Sequence, residues 1–231
     1  MNNYLFKMAA GLALAAFVAG CQTPIKGDAS LFQGDKSRTL EARVKVGNDG
    51  PGLFIRERLT QNDYKNQSEL NNFALTDALY SVPLAGGSFA PLVGSRSTAK
   101  LDTDNTKNNP KNTGHIDPRT GVQYGTKIDN LRLFVNVAPF WNVLPGEDHT
   151  TQTEVLGLAG YTHELSDGIA LDLEAEGVLL MDGDKFKQGI QRLRGGFVYK
   201  GIRAGIGVDM LETAKERDPI LNTGLYVGVR F

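Results

Sequence analysis

The sequence predicts an all-β protein, an antiparallel up-and-down transmembrane β-barrel of eight to ten strands. Three observations predict it. After residue 127, apolar and polar residues alternate in segments that reach the roughly 9–11 residues a tilted strand needs to cross a bilayer. The connections between those segments alternate in length, short then long. No run beyond the N-terminus comes near the roughly 18 apolar residues of a membrane helix, so any later span must be β.

A chain of 231 residues holds one large all-β domain or two small ones. A hydrophobic content of 41% and 27 glycines fit a folded protein. With a formal charge of -1 and a pI near 6.3, the chain lacks the basic footprint of a nucleic-acid binder, and that class is set aside.

Residues 1–20 have the three-part layout of a secretory signal: Lys7, an apolar run from Met8 to Gly20, and a small-residue exit. The run is too short to anchor the chain by itself. Cys21 is the only cysteine, so no intramolecular disulfide can form although the signal implies an oxidising compartment. Val18-Ala19-Gly20-Cys21 resembles the bacterial lipobox, which implies lipidation of Cys21, palmitate included. Gln22 follows where an aspartate would imply inner-membrane retention, so the resemblance implies the outer membrane. Plain cleavage after Gly20, with Cys21 a bystander, is the alternative.

Residues 21–37 are polar and read as a tether, and residues 38–231 as the barrel. From Thr39 to Val46, Leu40, Ala42, Val44 and Val46 alternate with Glu41, Arg43 and Lys45, a half-buried strand. The turn signal GNDGPG at 47–52 precedes LFIRERL, a second strand. SELNNFALTDALY is compatible with a short helix or with a strand. SFAPLVGSRSTAKL reads as a strand with Pro91 near its start, and residues 102–127 read as one long polar loop.

Six strands follow near 128–143, 152–164, 168–180, 189–200, 202–211 and 222–231. LSDG and KG make tight turns, while LPGEDHTT, MDGDKFKQ and ETAKERDPIL make longer charged loops. In outer-membrane barrels the short side is periplasmic. Counting strands backwards, however, places the 102–127 loop on that short side, which implies a missed strand or a plug in the first half.

The final stretch, GLYVGVRF, puts Leu225, Val227, Val229 and Phe231 on one face. It resembles the C-terminal signature of bacterial outer-membrane barrels, which implies recognition of Phe231 by the barrel-assembly machinery. YTHELSDGIALDLEAEG similarly resembles hairpins of small OmpA-like barrels. The resemblance covers the half after residue 127. Unpaired backbone groups are costly in hydrocarbon, so the last strand must close on a first one, expected to begin near Thr39. Tyr161, Tyr199 and Phe231 then form one aromatic girdle, and Phe140 and Trp141 the opposite one.

With Ile169, Leu171, Leu173 and Ala175 toward lipid, Asp172, Glu174 and Glu176 face the lumen. Leu193, Phe197 and Tyr199 outside place Arg192 and Arg194 inside, opposite Glu176 and Glu174. The KG turn pairs Val198 with Arg203 on the inner face, and Arg230 joins them. Such a lattice reads as a salt-bridged plug, or else as a charged pore or catalytic carboxylates.

Chemistry finds little anchor. Of three histidines, His115 and His149 fall in polar loops, and His163 lies beside Glu164, Ser166 and Asp167. That grouping sits in a turn signal, without a G-x-S-x-G elbow. Asp102, Asp104, Thr106 and Asn108 begin like a calcium loop, but Lys107 and Thr113 replace its glycine and glutamate. No cofactor or metal is expected.

The expected function is that of a lipid-anchored outer-membrane barrel with a structural or surface-interaction role. Its expected partners are outer-membrane lipids, the barrel-assembly machinery and an extracellular partner met through Pro145–Thr150, Asp182–Gln188 and Glu212–Ile220. Two alternatives stay open: a lipid hydrolase or acyltransferase using His163, and a tethered lipocalin-like binder with Glu174 and Arg194 facing solvent.

Overall fold

In the computed structural model, residues 25–46, 52–62, 72–81, 89–101, 114–141, 151–214 and 218–231 are described. The first six strands are β1 (Ile25–Gly34), β2 (Ser37–Val46), β3 (Leu53–Asn62), β4 (Asn72–Ser81), β5 (Phe89–Leu101) and β6 (Gly114–Ile128). The other six are β7 (Leu131–Trp141), β8 (Thr151–Ser166), β9 (Ile169–Asp182), β10 (Lys185–Tyr199), β11 (Ile202–Thr213) and β12 (Ile220–Arg230). Each pairs antiparallel with its sequence neighbours, and β1 pairs with β12, so the sheet closes on itself.

The barrel has twelve strands, not the eight to ten expected. Two were missed. Residues 25–34, assigned to the tether, form β1, and β12 closes on it rather than on the strand from Thr39. Residues 114–127, assigned to the long loop, belong to β6. Counting β6 removes the conflict over sides, because β5 now ends and β6 begins at the end of the barrel opposite Phe231. The segment left open between helix and strand contains β4.

Local chemistry explains the tight ends. Lys200 and Gly201 both have positive φ, 47° and 82°, the geometry of a type I′ hairpin whose twist matches the flanking strands. The expected loop at 181–188 is instead a two-residue turn, with Gly183 at φ 62° and β10 resuming at Lys185. A bulge between Phe186 and Gln188 then restores the register.

The pleat sorts the side chains by polarity, and it does so the wrong way round for a soluble protein. Leu225 and Ile206 are 67% and 68% exposed on the outer wall, while Asp77 and Arg119 are 0% and 1% exposed in the lumen. At the seam, the Gly27 N–H donates to Phe231 O at 2.8 Å and the Phe231 N–H to Gly27 O at 2.9 Å, extending the β1–β12 ladder past Arg230. Near the end where Phe231 lies, Phe54, Leu79, Leu92 and Ala138 pack inside as a small apolar cluster.

Candidate functional site

The most densely organised feature is the charge lattice in the lumen, built among the described residues on inward-facing positions of ten strands, β1 to β4, β6 and β8 to β12. The β9–β10 register sets Glu176 opposite Arg192 and Glu174 opposite Arg194, and the β10–β11 register sets Val198 opposite Arg203. Asp172, Glu174 and Glu176 occupy successive inward positions because a strand repeats every two residues.

The side chains go further than these neighbours. Glu176 pairs with Arg192 beside it and also accepts from Arg58 Nη2 of β3 at 3.1 Å. Glu174 pairs with Arg43 of β2 at 2.6 Å and with Arg203 at 3.4 Å. Arg194, although opposite Glu174 in register, turns instead to Asp209, and its guanidinium lies 4.0 Å from the Phe32 ring centroid. Asp172 gathers Arg203, Arg230 Nη2 at 3.0 Å and the Thr162 hydroxyl at 2.9 Å.

Several members were not foreseen: Glu41, Arg43, Arg56, Arg58, Asp77, Arg119, Glu154 and Asp209. Arg58 Nε donates to Glu41 at 2.6 Å, and Arg43 Nε lies 3.0 Å from the same carboxylate. Arg56 joins Asp77 at 2.6 Å and approaches Glu176 at 3.6 Å. Arg119 ties Asp77 at 3.3 Å to Glu154 at 2.7 Å. One chain of ion pairs therefore runs from Glu154 through Arg119, Asp77, Arg56, Glu176, Arg58, Glu41, Arg43, Glu174 and Arg203 to Asp172. The signal was present in the sequence, since Glu41 and Arg43 alternate with Leu40, Ala42 and Val44. What the sequence could not give is which wall faces which.

The lattice leaves a cavity of about 30 Å³ among Phe32, Glu41, Arg43, Glu174, Glu176 and Arg192, room for one or two waters. Isolated charges at such depth would be prohibitive; paired carboxylates and guanidiniums satisfy one another. Chemically, this is an electrostatic bolt across the barrel.

The remaining singled-out residues lie elsewhere. His163 is on the outer wall, with its ring stacked on Tyr161 at 6.3 Å between centroids, and Ser166 and Asp167 are exposed at the turn. Phe231, Tyr199 and Tyr161 lie on the outer wall at one end. Cys21, Asp102, Asp104, Thr106, Asn108, His149 and the loop Pro145–Thr150 fall outside the described residues, as do the side chains of His115, Phe140 and Trp141. Among the described residues, no group of three or more His, Cys, Asp or Glu could hold a metal ion.

No protein-family model matches the chain, and comparison with curated proteins finds no match. Solved structures similar to it include the NanC porin, at a TM-score of 0.49 and 12% identity over 90% of this chain and 99% of that one. The KdgM porin gives 0.47 and 11% over 89% and 98%. OmpT, an outer membrane protein of Vibrio cholerae, gives 0.41 and 8% over 91% and 99% in its trimer form.

Proposed function

We propose that this protein is an outer-membrane β-barrel lipoprotein, lipidated on Cys21, whose lumen is bolted shut by ion pairs and whose role is structural or interactive. One observation carries the reading: the barrel wall is apolar outside and charged inside. Leu173, Leu193, Phe197, Ile202, Leu225 and Val227 are exposed on the outer face, which only hydrocarbon suits, while Asp172 and Arg203 are buried in the lumen. A lipocalin-like carrier needs the reverse polarity, which argues against that alternative. Outward-facing His163, stacked on Tyr161, lends no geometry to the lipid-modifying alternative.

Closure follows from where the pairs run. Arg43–Glu174 and Arg58–Glu176 join opposite walls, and the cavity beside them has room for one or two waters. Strands β8, β9 and β10, at 16, 14 and 15 residues, exceed the roughly 9–11 a bilayer requires. Their surplus favours a rim standing clear of the membrane at the end opposite Phe231, where an extracellular partner would be met. Phe231 is the residue we assign to recognition by the assembly machinery.

A second reading, a pore that opens when the bolt parts, is favoured by the strand number, since twelve strands enclose more space than the eight that side chains fill. Planar-bilayer recording of the purified barrel tests both. Silence at all potentials supports the closed barrel, and voltage-dependent steps support the pore. Carbonate extraction and a heat-modifiability gel test the membrane location itself.

A further inference from the structure

The outer wall is not uniform. On β9 to β12 it presents large side chains to the membrane, among them Leu173, Leu193, Phe197, Ile206 and Leu225. On β2 to β5, beyond the exposed Tyr80, Phe89 and Val93 at the Phe231 end, the register lines up a belt of small and polar ones: Ala42 opposite Glu57, Glu57 opposite Thr76, and Thr76 opposite Ser97. One pleat nearer the Phe231 end, Ile55 is opposite Ala78 and Ala78 opposite Ser95.

Glu57 is the anomaly. It sits in mid-strand on β3, and its neighbours Arg56 and Arg58 face the lumen, so its carboxylate points outward. Its Oε2 is shielded from solvent and has no hydrogen-bond partner. Hydrocarbon offers a carboxyl group nothing, and intramembrane ionisable groups are kept where something pairs with them. No lipid tail can do so.

We propose that the outer face of β2 to β5 is where two copies of this chain meet within the membrane, an inference that rests on the membrane location proposed above. The occupant is read from self-complementarity. Acceptor and donors lie side by side, Glu57 on β3 and Thr76 on β4, with Ser97 beyond. A two-fold axis along the membrane normal between β3 and β4 lays Glu57 of one copy against Thr76 of the other, and the reciprocal pair forms at once. The Thr76 and Ser97 hydroxyls donate to the carboxyl group. Ala42, Ala78 and Ser95 around them let the two walls approach closely, as small residues do between membrane helices.

The test uses the full chain in its own membrane, with Cys21→Ala as background so that any introduced cysteine is single. Ala78→Cys lies beside the proposed axis; Leu225→Cys, on the opposite outer wall, is the control. Carbonate extraction and heat modifiability are read first, and a protein that washes out overturns the membrane location and this interface with it. If the barrel stays in the membrane, copper-phenanthroline oxidation is expected to give a dimer with Ala78→Cys and not with Leu225→Cys. Adding Glu57→Leu is expected to lower the dimer yield about tenfold while Glu57→Gln, which still hydrogen-bonds, retains it. A monomer at Ala78→Cys, or equal cross-linking at both positions, overturns the interface and leaves the barrel standing.

Discussion

Arg43 Nη2 donates to Glu174 Oε1 at 2.6 Å although β2 and β9 are five pairings apart around the wall, through β1, β12, β11 and β10. No hydrogen-bonded ladder brings these residues together; the bond crosses the lumen. Removing both partners, Arg43→Ala with Glu174→Ala, takes away one cross-lumen tie and leaves no orphan charge from this pair. In planar bilayers the double variant is expected to show conductance steps where the parent is silent, and silence in both would place the barrier elsewhere, at the Phe54–Leu79–Leu92 cluster.

Glu176 is the more buried hub, holding Arg58 and Arg192 with Arg56 close by. Its loss leaves guanidiniums without a shared counter-charge. Glu176→Gln should therefore lower the stability of the folded barrel by about 3–5 kcal/mol, the range for breaking one side of a buried pair. Urea unfolding in liposomes reads this directly. Glu174→Gln should cost less, because that side chain is 14% exposed against 3% for Glu176.

The seam depends on an absent side chain. A Cβ at Gly27 would lie 2.7 Å from the Phe231 ring and 2.8 Å from the Arg43 carbonyl oxygen. The ring could swing away, but the carbonyl belongs to the β1–β2 ladder. Gly27→Val is expected to slow or block closure of β1 on β12, seen as a larger unfolded band on a gel run without boiling. A normal compact band would show that the seam tolerates displacement.

Much of the second half was legible for a physical reason. On β9 to β12 one face is apolar and the other charged, so Leu171, Leu173 and Leu193 alternate cleanly with Asp172, Glu174, Arg192 and Arg194. The β10–β11 register followed from the KG turn, and the β9–β10 register from counting back across residues 181–188. β4 is harder to read because part of the outer face there is small and polar: Thr76, Ser95 and Ser97 point the same way as Ala78 and blur the period of two. In β6, Pro118 stands exposed on the outer wall, and a proline inside a run argues against a strand when only sequence is in hand. β1 was lost because Lys26, Gly27, Asp28 and Ser30 read as tether, while closure needs Asp28 within 3.5 Å of Arg43 and a glycine beneath Phe231. The lattice was half visible, since inward charges can be assigned from parity but cross-lumen partners depend on the strand number.

If the strands span the membrane, the lipid we propose on Cys21 would be a second anchor and not the only one. A twelve-stranded barrel with outward Leu173, Leu193, Phe197, Ile206 and Leu225 would bury far more surface in hydrocarbon than one acylated residue does, and two acyl chains already hold a protein stably at a membrane. Cys21→Ala should consequently leave the protein in the outer-membrane fraction through carbonate and urea washes, with its heat-modifiable band intact. Release of the variant as a soluble protein would mean that lipid alone held it. The outward Leu225, Ile206 and Phe197 would then have to be covered by something other than a bilayer.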